Sequence, residues 1–282
     1  MNILTFDIED WFHLLDLDCT ATEAQWNQYE PRIHANVERL IEITLKHGYR
    51  ATFFCLGWVA ERYPGIIRRI DGAGFEIASH SHTHQLVYQQ APEQFRQDVE
   101  RSIHTLEDAI GKKVKSFRAP GFSITPGMPW AFETLIELGI ESDSSIFPAS
   151  RGHGGFADFG TAQPAIIECA GGSLKEFPIS LGTVMGKQFV FSGGGYFRLL
   201  PYWMIQRLTL ESEYLMTYFH PRDFDSDQPV IDMPLHRRFK SYVGLKGAYA
   251  KLDRWLAENT FIDLASADLA TDWASAPKIG VK

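Results

Sequence analysis

Short apolar runs alternate with helical stripes through the first half of this chain, and that alternation constrains its fold more than any other feature. Residues 2–7 read as a buried strand that ends at Asp7. Pro31 then opens a helical stripe of Ile33, Val37, Leu40, Ile41 and Leu45, which Gly48 stops. A second strand is expected over 51–56, a helix over 58–71 interrupted by Pro64, and a third strand over 75–79. The clearest helix runs over 91–110, with Phe95, Val99, Ile103, Leu106 and Ile110 on one face. Residues 114–117 then read as strand, 129–138 as helix, and Ile140 begins a further strand. Each helix must carry the chain back across the sheet, so the strands pair in parallel. The expected class is α/β, closing as a distorted (β/α) barrel.

The second half is less regular. Residues 146–198 are rich in glycine, notably Gly193-Gly194-Gly195, and lack a strong helical stripe, so they read as loops and short strands on one face. Helix is expected again over 200–210 and 246–258, and strand over 214–219 and 261–264. No repeat and no Pro/Ser-rich linker divides the chain. The expectation is one domain over 1–282, with 146–198 inserted on the active-site face and 223–282 as a C-terminal extension completing the barrel.

Composition narrows the partners. Lys plus Arg total 27 against 35 Asp plus Glu, a net charge of −8, which argues against nucleic acid as a ligand. Cys19, Cys55 and Cys169 are odd in number and far apart, implying neither a disulfide framework nor a CxxC metal knuckle. The opening MNILTFDIEDWF has no basic leader and no long apolar run, so it reads as an internal strand and not as a signal peptide. No stretch approaches the roughly 18 apolar residues of a membrane span, and the cytoplasm is the expected compartment.

The unusual polar residues fall at the carboxyl ends of the expected strands, where barrel active sites are built. They are Asp7-Ile8-Glu9-Asp10, His80-Ser81-His82-Thr83-His84, Arg118-Ala119-Pro120-Gly121, Asp143-Ser144-Ser145 and Phe219-His220-Pro221-Arg222. Three histidines within five residues after an apolar strand suit a divalent metal better than a plain turn. In a turned segment His80 and His84 share a face; in an extended one all three point the same way. Glu9 and Asp10 could supply the acid of a metal site or cap a following helix. Asp7 ends an otherwise apolar strand, where a carboxylate is costly unless paired or working.

Taken together and in this order, these segments resemble the metal-dependent polysaccharide deacetylases (carbohydrate esterase family 4, relatives of the chitin deacetylases). Thr5-Phe6-Asp7 is similar to that family's first motif, the histidine run to its second, Phe117-Arg118-Ala119-Pro120 to its third, Asp143-Ser144-Ser145 to its fourth and Leu215 to His220 to its fifth. Glu176-Phe177-Pro178-Ile179-Ser180, Ser192 to Pro201 and Phe219 to Arg222 resemble a branch found with exopolysaccharide and cell-surface polysaccharide loci. Two departures stand out. Where the family has Asp-Asp-Gly this chain has Asp7-Ile8-Glu9-Asp10, and Gly121 replaces an aromatic residue.

The resemblance implies a hydrolase of the N-acetyl amide in an N-acetylated sugar or polysaccharide, or its precursor. It implies a divalent ion, zinc by preference, held by His80, His84 and an acid, Glu9 ahead of Asp10. Asp7 would be the general base and Arg118 would aim it. His220, paired with Asp143, would be the general acid. Pro120, Gly121, Phe122 and Arg222 would contact substrate. A carbohydrate-binding member that has lost turnover, and a hydrolase of another C–N bond, are the alternatives; oligomeric state is not legible.

Overall fold

The computed structural model describes residues 1–281 apart from 16, 151–153 and 185. In chain order the strands are β1 (Asn2–Ile3), β2 (Thr5–Ile8), β3 (Thr52–Cys55), β4 (Glu76–Ser79), β5 (Ser116–Phe117), β6 (Ser142–Asp143), β7 (Ala165–Cys169), β8 (Gly172–Glu176), β9 (Gly182–Val184), β10 (Lys187–Phe189), β11 (Leu215–Met216) and β12 (Lys278–Gly280). The helices are α1 (Glu23–Trp26), α2 (Ile33–Lys46), α3 (Gly57–Arg62), α4 (Pro64–Gly72), α5 (Pro92–Ile110), α6 (Pro129–Glu137), α7 (Gly194–Leu199), α8 (Tyr202–Glu211), α9 (Leu235–Tyr242), α10 (Leu245–Glu258) and α11 (Leu264–Ala270).

The main sheet among the described residues runs β12-β7-β8-β6-β5-β4-β3-β2. Neighbours from β2 to β6 pair in parallel, β8 joins β6 in parallel, and β7 and β8 form an antiparallel hairpin. Both faces are covered. On β3, Phe53 and Cys55 pack into the large apolar cluster beneath the helices, while Phe54 points into a smaller cluster with Phe122, Phe147, Phe177, Met216 and Tyr218.

Closure next to β2 is irregular. Phe6 bridges to Phe219 and Tyr218 to Gly193, and the segment after β8 reaches β11 through side chains. The Met216 N–H donates to Ser180 Oγ at 3.1 Å, and the Tyr214 hydroxyl to the Pro178 carbonyl at 2.6 Å. Side-chain bonds in place of ladder bonds make this α/β barrel distorted.

Several boundaries differ from the sequence expectation. Pro64 does not merely interrupt the 58–71 helix; it starts α4, because proline suits the first turn and lacks the N–H that an interior position needs. Within 146–198, β7 and β8 belong to the main sheet, so this stretch is not an insertion confined to one face: buried Ala165, Ile167 and Leu174 anchor the hairpin. At 261–264 there is a bridge from Ile262 to Ile3, and then Asp263 caps α11 by accepting the Ser266 N–H at 2.8 Å. β12 adds beside β7, at the far edge from the seam, instead of closing it. No helix among the described residues is long and apolar enough to cross a membrane.

Candidate active site

One level of strand register builds the rim of the site. Ile8, Cys55, Ser79, Phe117, Asp143 and Glu176 are successive partners across β2, β3, β4, β5, β6 and β8. Parallel strands end together, so Glu9, His80 and Arg118 emerge one residue beyond that level on the same edge. The bridge from Phe6 to Phe219 adds the fifth segment, with the Asp7 N–H donating to the Phe219 carbonyl at 2.7 Å. His220 therefore lies beside Asp7, although 213 positions separate them in the chain.

Glu9, His80 and His84 converge as a buried group whose donor atoms all lie within 4.8 Å of one another. The Glu9 carboxylate is 3.7 Å from His80 Nε2 and 3.3 Å from His84 Nε2. Ligand atoms about 2.0–2.1 Å from a tetrahedral zinc stand roughly 3.3 Å apart, so this set fits such an ion. His80 Nδ1 lies 2.7 Å from the Arg118 carbonyl, which can only accept; Nδ1 therefore carries the hydrogen and Nε2 presents its lone pair. Burial alone would raise the Glu9 carboxyl, but the imidazoles of His84, His220 and His80 outweigh it and hold Glu9 well below the usual carboxylate range.

The histidine run is turned, not extended. Ser81 and His84 both adopt left-handed backbone, at φ 68° and 54°. Asp98 on α5 accepts the N–H groups of His82 and Thr83 at 2.8 and 3.0 Å and the Thr83 hydroxyl at 2.5 Å. The Gly57 N–H at the start of α3 donates to the Ser81 carbonyl at 2.9 Å. His82 points away from the cluster and lies against Gly57, where a Cβ would meet its Nδ1 at 2.3 Å.

Asp10 is not part of the cluster. Its carboxylate accepts the backbone N–H groups of Trp11 at 2.8 Å, Arg32 at 3.0 Å and Ile33 at 3.2 Å, so it serves the start of α2. The two acids thus divide between opposite directions, Glu9 toward the histidine cluster and Asp10 toward the start of α2. Burial pushes the Asp10 carboxyl up to about 6 despite those bonds.

Arg118 is fully buried and its guanidinium is saturated. Nη1 donates to Asp7 Oδ1 at 2.6 Å and to Thr5 Oγ1 at 2.8 Å, while Nη2 donates to Ser144 Oγ at 3.0 Å. The expected Arg118–Asp7 contact is present. The expected His220–Asp143 contact is not. His220 Nδ1 pairs with Asp223 Oδ2 at 3.0 Å, and Asp143 faces the other way, accepting the Ser145 hydroxyl at 2.6 Å beside its register partner Glu176. Both acids are fully buried. Burial pushes Asp143 up to about 6 and, with the Asp143 charge beside it, Glu176 well above its ordinary value.

His220 Nε2 lies 3.3 Å from Glu9 and 3.8 Å from Asp7 Oδ2. Burial would lower this imidazole, but Glu9, Asp223 and Asp7 raise it to about 9. Its side chain is 25% exposed while those of Asp7, Glu9, His80 and His84 are 6% or less, so His220 stands at the mouth.

The expected substrate contacts are placed differently. Pro120 and Phe122 are buried, and the Phe122 ring packs against Tyr218 and Phe147 at 5.2 and 5.8 Å; it is core, not wall. Arg222 is buried with its Nε on Gln228 Oε1 at 3.1 Å and its guanidinium 5.7 Å from the Tyr242 ring. Gly121 is half-buried at φ 62°, a left-handed turn that glycine adopts without strain. Asp223 and Asp98 were not singled out in the sequence, and the i, i+3 spacing of His220 and Asp223 was the one local signal for the first; Glu176 stood there only within a motif, without a role.

Family models match the chain in two parts. Polysaccharide deacetylase matches residues 4–135, and a domain of unknown function (DUF3473) matches residues 144–268. A peptidoglycan-N-acetylglucosamine deacetylase of Bacillus cereus is 28% identical over 96 residues, 34% of this chain and 35% of that protein. The matches to curated relatives span 38% or less of those proteins' own lengths. The fold matches that of a Mycobacterium smegmatis protein assigned as a polysaccharide deacetylase, with TM-score 0.67 at 21% identity, covering 99% of this chain and 92% of that one. It also matches a carbohydrate esterase family 4 pseudoenzyme of Bacillus anthracis, with TM-score 0.50 at 12% identity over 100% and 69% of the two chains, so fold alone does not decide turnover. Residues 4–135 thus resemble the polysaccharide deacetylase family, and the α/β architecture resembles that of the family 4 carbohydrate esterases.

Proposed function

We propose that the chain is a metal-dependent N-deacetylase that hydrolyses the N-acetyl amide of an amino sugar in a surface polysaccharide or its precursor. The observation that carries the reading is the convergence of Glu9, His80 and His84 within 4.8 Å, beside Asp7 and His220. Strands from both family-matched parts form this one rim, which supports a single catalytic domain.

Glu9, His80 and His84 would hold the ion, and a bound divalent cation, zinc by this donor set, supplies Lewis-acid polarisation and a more acidic water. Asp7 accepts the proton of the attacking water at Oδ2, since Arg118 occupies Oδ1 and keeps the carboxylate aimed. Arg118 is itself fixed by Thr5 and Ser144, so the base does not swing. Asp223 and Asp7 favour the protonated form of His220, which gives its proton from Nε2 to the departing amine, while Asp223 at Nδ1 fixes ring and tautomer. Acetate and a free amino sugar result. Presence of base, acid and ligand side chains together supports turnover over a binding-only role.

Acetate release from a chitooligosaccharide by zinc-loaded protein tests the reading. Asp7→Asn should retain zinc and lose roughly 10²–10⁴ in kcat. Deacetylation at the parent rate by that variant would sink the assignment.

A further inference from the structure

The glycine-rich run at the start of α7 has no part in the chemistry above, yet it delivers one buried side chain to it. Arg198 is 7% exposed. Its Nε lies 3.2 Å from Asp223 Oδ1. The opposite oxygen, Oδ2, takes both the His220 backbone N–H at 2.9 Å and His220 Nδ1 at 3.0 Å. The two oxygens of one carboxylate thus have separate duties, one to the arginine and one to the imidazole.

The contact with Asp223 is an ion pair, and the far side of the guanidinium is anchored by hydrogen bonds. Nη1 donates to the Ser241 and Val243 carbonyls, each at 3.0 Å, and Nη2 to the Lys240 carbonyl at 3.1 Å. These are carbonyls at the end of α9, where no intrahelical N–H follows and a cation is favoured. Close packing holds the segment in place. A Cβ at Gly193 would lie 2.4 Å from the Tyr218 ring, and one at Gly244 would lie 2.5 Å from the Arg198 carbonyl, at φ +72°. Neither position admits a side chain without moving Arg198 or the strand that carries His220.

We propose that Arg198 is a positioning residue for the general acid: it fixes the Asp223 carboxylate, and through it the His220 ring, against the end of α9. The base and the acid would then be built alike, each with a carboxylate and a buried arginine, Asp7 with Arg118 and Asp223 with Arg198. A carboxylate held on one side only can rotate and let the imidazole turn; held on both sides it cannot. The proposal rests on the reading of His220 as general acid.

The test compares an N-acetylglucosamine oligosaccharide with an activated aryl acetate, whose leaving group needs no proton, on zinc-loaded protein. Arg198→Met should lower kcat on the amide by about tenfold or more and on the ester by much less. In a His220→Ala background the same change should cost under about twofold, because residues acting through one group are not additive. Arg198→Lys, which keeps the charge but not the three-carbonyl clamp, should recover part of the loss and serves if the methionine variant does not fold. Lys251→Met is the matched control: Lys251 donates to the Phe197, Arg198 and Leu200 carbonyls at 2.8–3.0 Å and so braces the same segment without reaching Asp223. It should leave the amide-to-ester ratio unchanged. Equal losses on amide and ester, or multiplicative losses for Arg198→Met and His220→Ala, overturn the link while leaving the acid assignment standing. A His220→Ala variant that deacetylates at the parent rate removes the acid assignment itself, and the link with it.

Discussion

His220 Nδ1 is paired with Asp223, three residues on, at 3.0 Å, and not with Asp143 across the barrel. The strand-end acid Asp143 is committed instead to Ser145 and Glu176. A local i, i+3 pairing means that one turn of chain, Pro221 to Phe224, brings His220 and Asp223 together, while Arg198 meets the other oxygen of Asp223.

That placement separates the two acids experimentally. Asp223→Asn should reduce kcat on the N-acetyl amide by roughly 10²-fold and spare an activated ester. Asp143→Asn should leave the amide-to-ester ratio at the parent value. Steady-state rates on both substrates check it, and the reverse pattern would return the role to Asp143.

Glu9 and Asp10 should part company in metal analysis. Glu9→Gln should lose most bound zinc, because it removes the carboxylate of the cluster. Asp10→Asn should keep zinc near the parent level and lower stability by about 1–2 kcal/mol, through weaker bonds to the start of α2. Elemental analysis and chemical denaturation of the two variants decide between them.

Gly57 leaves no room for a side chain beside the histidine loop. A methyl group there would meet His82 Nδ1 at 2.3 Å and the Ser102 Cα at 2.9 Å, both deeply packed. Gly57→Ala should cost about 1–3 kcal/mol as overpacking. It should also reduce zinc content, since the loop that moves carries His80 and His84. Normal stability with normal zinc would show that the loop has slack.

The raised carboxyls of Asp143 and Glu176 make a prediction for stability against pH. Their folded-state values lie above the ordinary carboxylate range, so between those limits the native state holds protons that the unfolded state has lost. The contribution is fully present at low pH and is lost as pH rises through about 6 and above. For His220, also raised, the contribution is likewise present below the unfolded value and lost as pH climbs through about 9. Metal-free protein should therefore lose thermal stability between pH 6 and 9. Glu176→Gln should flatten the lower part of that decline, which a series of Tm measurements on parent and variant would read directly.

Much of this protein was legible from local pattern. The helical face of α5, with Phe95, Val99, Ile103 and Leu106 buried, follows from spacing alone, because a 3.6-residue period leaves only one stripe to bury. Strand and helix alternation determined the parallel sheet, and parallel strands that end at one level place Asp7, Glu9, His80 and Arg118 on one rim. Tertiary structure alone decided which neighbour of a polar pair does what. Glu9 faces the cluster and Asp10 faces α2, because successive residues leaving a strand point opposite ways and only the packed helix says which way is in. The same holds for His82 against Gly57, for Asp223 over Asp143, and for Arg198 between Asp223 and the end of α9. Residue type and spacing report what chemistry is available; the direction of a side chain depends on contacts with segments distant in the chain.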